Sequence, residues 1–179
     1  MIYLFLADGF EEAEAFVPYD ILHRGGEKIL KVGVTGEYVT SSHNVTVKSD
    51  ISLSEAAKSE PDMVILPGGM PGTTNLDENE TVREIVKKAY EDGKVVGAIC
   101  AAPSILGKMG ILKGRKATCF PSFEKWLDGA QYVRDYCVHD GNVITACGAG
   151  GAYQFGFELL GTIDEKKAEE VKKSMQYVL

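Results

Sequence analysis

The chain begins with an apolar run, Ile2-Tyr3-Leu4-Phe5-Leu6-Ala7. It is too short for a typical helix and predicts a strand buried on both faces. The apolar period then lengthens: Ala15, Phe16, Ile21 and Leu22 suit a helix over 11–24, which Gly25-Gly26 stops. A second strand is expected over 28–35, followed by a hairpin of Tyr38-Val39-Thr40 and Val45-Thr46-Val47-Lys48 turning near Asn44. Residues 54–59 read as a short helix capped by Ser54. Met63-Val64-Ile65-Leu66 and Val95-Val96-Gly97-Ala98-Ile99 read as central strands, with an amphipathic helix over 79–91 between them and helical spacing over 101–109 after the second. Beyond Lys116 the pattern weakens. A short strand ends at Cys119, a short helix covers 122–127, and an Asp140-Gly141 turn joins strands over 132–138 and 142–147. Helices over 153–161 and 164–177 complete the chain. Such alternation predicts an α/β protein with a largely parallel sheet covered on both faces.

The 179 residues suit one domain that can bury a core without metal or disulfides. With 45% apolar and 25% charged residues, the composition is that of a soluble globular protein. The apolar start lacks a basic leader and meets Asp8 too early for a secretion signal or a spanning helix, so a cytoplasmic location without membrane attachment is expected. Cys100, Cys119, Cys137 and Cys147 form no CxxC pair and no zinc-type spacing with His23, His43 and His139. Free thiols and no metal are therefore expected. A net charge of −7 without a basic stripe argues against a nucleic-acid partner.

In a parallel α/β sheet, reactive groups gather where strands exit at their carboxyl ends. Four exits here are unusual: Asp8-Gly9-Phe10-Glu11-Glu12-Ala13-Glu14, Pro67-Gly68-Gly69, Cys100-Ala101 and Gly148-Ala149-Gly150-Gly151. Cys100 stands at an abrupt strand-to-helix turn flanked by the small Ala98 and Ala102, as in a nucleophile elbow. Helix N–H groups beyond it would favour the thiolate, although a cysteine can equally be a small buried hydrophobe. Glu11 and Glu12 match the usual acidic bias of a first helical turn. Glu14, one turn beyond Glu11, can point inward beside the elbow. Desolvation would hold its proton there, ready to donate to a thiolate and to be relayed. Gly68-Gly69 can be a simple tight turn, or can bring backbone N–H groups close to an oxyanion, with the Gly69 and Ala101 amides forming the hole. Neither glycine cluster matches a Walker loop or a dinucleotide fingerprint, so no nucleotide cofactor is expected. His43 and His139 read as surface residues and Trp126 as structural. Cys119, Cys137 and Cys147 suit packing, with Cys147 alone adjoining a reactive-face loop.

The segments Val64-Ile65-Leu66-Pro67-Gly68-Gly69, Gly97-Ala98-Ile99-Cys100-Ala101-Ala102-Pro103 and Gly9-Phe10-Glu11-Glu12-Ala13-Glu14 together resemble the ThiJ/PfpI superfamily, on the branch of the Parkinsonism-associated deglycase and bacterial YajL. The resemblance runs from Ile2 to the last helix. It implies a flavodoxin-like three-layer α/β/α sandwich related to class I glutamine amidotransferase domains, a homodimer, no cofactor, a reactive Cys100, a nearby Glu14, a matching Glu11, and backbone donors at Gly69 and Ala101. Four departures shape the pocket, which also includes Gly68. Ala101 replaces the histidine of protease-like members, which removes a Cys-His pair. Phe120 stands where deglycase-like members place a histidine, His43 where an arginine often lines the pocket, and Gly148-Ala149-Gly150, preceded by Cys147, where Gly-Pro-Gly is usual. The resemblance implies either a cofactor-independent enzyme or a stress protein. In the first, Cys100 attacks a small reactive carbonyl, a 2-oxoaldehyde or its adduct, and converts methylglyoxal to lactate in the manner of a glyoxalase III or deglycase. In the second, oxidation of Cys100 is sensed and the protein acts as a chaperone. Proteolysis and a thiamine-pathway role rank below both.

Overall fold

The computed structural model describes residues 1–177. Its main sheet contains β1 (Ile2–Leu6), β2 (Ile29–Gly33), β5 (Ile51–Ser52), β6 (Met63–Leu66), β7 (Val95–Ile99), β10 (Cys137–Asp140) and β11 (Val143–Ala146), of which β1, β2, β6, β7 and β11 stand where the sequence pattern places them and β5 is a strand the pattern does not show. Their order across the sheet is β10-β11-β7-β6-β1-β2-β5. All neighbours run parallel except the β10–β11 hairpin. Along the chain, the major parallel strands β2, β1, β6, β7 and β11 therefore follow the flavodoxin-like 2-1-3-4-5 order, whose topological switch lies between β1 and β6. Ligands of such sheets lie beyond the carboxyl ends of the strands beside that switch.

Side chains of β1 alternate between two cores: Tyr3 and Phe5 enter one, Ile2, Leu4 and Leu6 the other. The first core is closed by α2 (Leu53–Ala56), α3 (Gly72–Asp77), α4 (Glu80–Glu91) and α5 (Pro103–Lys108). The second is closed by α1 (Glu12–Arg24), α6 (Ala152–Gly161) and α7 (Glu165–Ser174). Helices α1 and α6 touch closely because Gly156 has no side chain: a Cβ there would lie 2.6 Å from Ile21 Cδ1. This crossing fixes the helix that carries Glu14.

Several boundaries differ from the sequence pattern. The short helix after β5 is capped by Ser52, not Ser54, in a capping box with Glu55 that satisfies amides at both ends of the turn. Helix α3, which the pattern does not show, follows directly on Pro71. The helical spacing over 101–109 yields only Pro103–Lys108, because Ala101 and Ala102 form the turn leaving the strand. The stretch near 122–127 narrows to a 3-10 turn, Glu124–Trp126. Tyr132 is not part of the late hairpin. It belongs to β9 (Gln131–Tyr132), paired in parallel with β8 (Lys116–Ala117), and the antiparallel ladder starts only at Cys137. The hairpin of β3 (Tyr38–Thr40) and β4 (Thr46–Lys48) forms as expected, with Asn44 at φ 66° in its turn. Among the described residues, no helix is long and apolar enough to cross a membrane.

Candidate active site

Cys100 leaves β7 at φ 65°, in the left-handed region that a non-glycine residue occupies at a cost of about 1–3 kcal/mol. The surrounding backbone holds it there. Its N–H donates to the Ala146 carbonyl at 2.8 Å, and its carbonyl accepts from the Phe120 N–H at 2.8 Å. One residue thus ties together the ends of β7 and β11 and the loop after β8. The Ser104 hydroxyl donates to the Ala101 carbonyl at 2.6 Å and fixes the first turn beyond the elbow.

Glu14 reaches the same point from α1. The Glu11 carboxylate caps that helix by accepting from the Glu14 N–H at 2.8 Å. The Glu14 side chain, only 2% exposed, accepts from the Gly68 N–H at 3.0 Å, and the Cys100 thiol and Ala149 amide beside it favour its ionised form. Gly68 makes this meeting possible, since a Cβ there would lie 2.5 Å from Glu14 Oε2 and 2.6 Å from Cys100 Cβ. Gly68→Ala is accordingly expected to push the carboxyl off the thiol, destabilising the protein by about 1–3 kcal/mol as an overpacked site does. Urea melts of the variant and the wild type check this effect.

The Gly69 and Ala101 amides both draw the Cys100 thiol pKa down, and Gly69 takes a φ of 90° that suits glycine. The electrostatics of the pair differ from the ionised thiol that the sequence suggests. Burial, reinforced by the neighbouring Glu11 charge, pushes Glu14 up to about 7 even though Cys100, Gly68 and Ala149 pull it down. Burial and the Glu14 carboxylate push the Cys100 thiol up as well, against the pull of the Ala101 and Gly69 amides. Two negative charges this close in a desolvated site cannot coexist near neutrality. The pair therefore gives up its first proton near neutral pH and keeps the other, which the raised thiol holds, so the titration belongs to both groups together.

The remaining residues lie around this centre. The Glu12 carboxylate accepts from the Ser41 hydroxyl, from the His43 N–H at 3.1 Å and from His43 Nδ1 at 2.7 Å. Burial works against its charge, but the His43, Ser41 and backbone hydrogen bonds prevail and draw Glu12 down to about 2. The His43 side chain, 73% exposed, is bound to Glu12 rather than to Cys100 or Glu14, and that hydrogen bond raises its pKa. Glu11, Glu12 and His43 form the only cluster with metal-ligand spacing among the described residues, and two of the three already satisfy each other as an ion pair. The Phe120 ring rests against Gly148, where a Cβ would be 3.3 Å from the ring and 3.8 Å from Glu14 Oε1. Cys147 is half-buried and Cys119 is buried. Both line a neighbouring cleft with Tyr132, Arg134 and Tyr136. Phe120, Cys147 and Gly148, which the resemblance places in the pocket, line this cleft; Tyr132, Arg134, Tyr136 and the Ala149 amide have no counterpart in the sequence reading, which takes 132–138 as a hairpin strand, and a backbone donor leaves no mark on side-chain type.

Fold and site together define a flavodoxin-like α/β protein with a strained strand-end cysteine paired to a buried carboxyl. The chain belongs to the DJ-1/PfpI family, whose family model matches residues 1–162. It is 37% identical over 174 residues to protein dj-1beta of Drosophila melanogaster, covering 95% of this chain and 93% of that one. A Caenorhabditis elegans relative named a glutathione-independent glyoxalase is 32% identical over 155 residues, covering 86% of this chain and 83% of its own. Among solved structures, a DJ-1 superfamily protein of Salmonella typhimurium superposes with a TM-score of 0.95 at 33% identity, covering 99% of this chain and 98% of that one.

Proposed function

We propose that the protein is a cofactor-independent enzyme of small reactive carbonyls that converts 2-oxoaldehydes such as methylglyoxal to 2-hydroxy acids at the Cys100–Glu14 pair. The observation that carries this reading is the meeting of a buried carboxyl with the Cys100 elbow across Gly68, where a Cβ would lie 2.5 Å from Glu14 Oε2 and 2.6 Å from Cys100 Cβ. The naming of a relative as a glutathione-independent glyoxalase supports it. With one negative charge on the pair, Cys100 Sγ adds to the aldehyde carbon. The carbonyl electrons move onto oxygen, beside the Gly69 and Ala101 amides, and that oxygen is then protonated. Glu14 takes the proton from the former aldehyde carbon and returns it to the adjacent carbon, while the hydroxyl proton passes to the neighbouring ketone oxygen, leaving a thioester of the 2-hydroxy acid. Water cleaves the C–S bond, releasing lactate and restoring the thiol. The net change adds one water to methylglyoxal, the aldehyde carbon being oxidised as its neighbour is reduced, so no external redox partner is required.

Lactate release from methylglyoxal without added thiol, followed across pH, tests this reading. Activity should rise with pH through an apparent pKa near 7, where the pair loses its first proton. No lactate at any pH would remove the proposal.

A second reading has its own support, because the same carboxyl could donate to an oxygen of oxidised Cys100 and retain a sulfinate in a redox-sensing protein. The resemblance further supports a homodimer. Light scattering at micromolar concentration should give twice the chain mass, and a monomer at that concentration would contradict it.

A further inference from the structure

The cleft beside the active site has a volume of about 600 Å³, more than a three-carbon oxoaldehyde can fill. It shares a wall with the reactive centre. Phe120 and Gly148 line the cleft. Phe120 donates its N–H to the Cys100 carbonyl, and the Gly148 backbone lies beside Glu14. The rings of Phe120, Tyr132 and Tyr136 stand exposed around it. Between the two tyrosines in sequence, Arg134 also lines the cleft.

The chain has four arginines. Arg24, Arg83 and Arg115 pair with Asp20, Asp77 and Asp140. Among the described residues, no carboxylate lies within the 4.0 Å of an ion pair with Arg134. Its neighbour Asp135, on the same cleft, instead accepts from the Tyr136 N–H at 2.7 Å. The segment is fastened on both sides. Val133 N–H donates to the Ala117 carbonyl at 2.8 Å, the Thr118 hydroxyl donates to the Asp135 carbonyl at 3.1 Å, and Cys147 N–H donates to the Tyr136 carbonyl at 3.0 Å. Among the described residues, Arg134 is therefore an exposed cation on a fastened backbone, beside aromatic walls and with no carboxylate paired to it. A guanidinium so placed is suited to a carboxylate, and the exposed rings to the apolar atoms behind it.

We propose that this cleft holds the non-reacting part of the substrate and that Arg134 pairs with a carboxylate there, so that the preferred substrates are 2-oxoaldehydes, or their thiol adducts, that carry an organic carboxylate. This rests on the reading of Cys100 and Glu14 as a carbonyl-converting pair.

The test compares the methylglyoxal hemithioacetal of 3-mercaptopropionate with that of its neutral amide in the wild type and in Arg134→Gln, Cys100 Sγ replacing the added thiol on carbon and the thiol leaving with the cysteine's proton. The wild type should favour the carboxylate by about tenfold in kcat/KM, expressed in KM, as one charge-assisted contact allows. Arg134→Gln should bring the ratio to about one, and Arg134→Lys should recover part of it. Equal use of both adducts by the wild type, or a ratio that Arg134→Gln leaves intact, would overturn the proposal. If no carbonyl is turned over at all, the carbonyl-enzyme reading fails and the cleft is judged by binding alone. Calorimetry with 3-phenylpropionate on Cys100→Ser should then show salt-sensitive binding that a further Arg134→Gln weakens by about tenfold. Absent binding, or binding indifferent to Arg134, would refute the carboxylate subsite.

Discussion

Cys100→Ser is expected to lower methylglyoxal turnover by about ten-thousandfold or more, as loss of a covalent nucleophile does, with the fold intact. Serine is nearly the same size and inherits the same backbone, so the φ of 65° strains both residues alike. The hydrogen bonds to Ala146 and Phe120 involve only the main chain at this residue and survive the change. What disappears is acidity. The raised thiol can still pass its proton to the Glu14 carboxylate as sulfur attacks, whereas a far less acidic hydroxyl in the same buried place does so much less readily. Circular dichroism should be unaltered. A variant retaining a tenth of wild-type turnover would show that another group attacks the carbonyl.

Glu14→Gln is expected to lower turnover by about a thousandfold, within the range for loss of a positioned acid–base group. The amide keeps the carboxyl's shape, an acceptor for the Gly68 N–H and a donor toward Cys100. It has no proton to exchange, so the rise of activity through pH 7 should vanish with the rate. Stability should change in a defined direction. Burial raises Glu14 from 4.5 to about 7 in the folded protein, so its proton is held more tightly folded than unfolded. The wild type should therefore be fully favoured below about pH 4.5 and lose stability relative to Glu14→Gln as pH rises to about 7, by on the order of 3 kcal/mol. Urea melts of both proteins at pH 4.5 and 8.5 measure the difference. A gap that stays constant or moves in favour of the wild type would mean that Glu14 is not a desolvated carboxyl.

Apolar runs made most of the sheet legible in the sequence. β1, β6, β7 and β11 are buried along nearly their whole length, and such strands show as short unbroken hydrophobic stretches. Strand order leaves no comparable mark, because it depends on how distant segments pair. Helix α3 was hidden since Gly72-Thr73-Thr74-Asn75 has weak helix propensity. At Ser52-Leu53-Ser54-Glu55 two serines compete for the cap, and only Ser52 has a glutamate three residues on to complete the box. Cys100 and Glu14 were legible as residue types at strand exits. Their meeting, by contrast, depends on the absent side chain of Gly68. Only folding brings Glu14, Gly68 and Cys100, from three distant parts of the chain, to one place. The departure at Phe120 also acquires meaning in space: the ring forms a wall shared by the reactive centre and the cleft that contains Arg134.

The central claim is that the Cys100–Glu14 pair turns over carbonyls and is not consumed by them. The most direct measurement counts lactate formed per chain from excess methylglyoxal, without glutathione, while mass spectrometry of the same samples follows the state of Cys100. Many lactate molecules per chain, with Cys100 returned as the free thiol, is the predicted result. Lactate no higher than with Cys100→Ser, accompanied by selective conversion of Cys100 to a stable sulfinate under mild peroxide, would contradict the enzyme and leave the sensor.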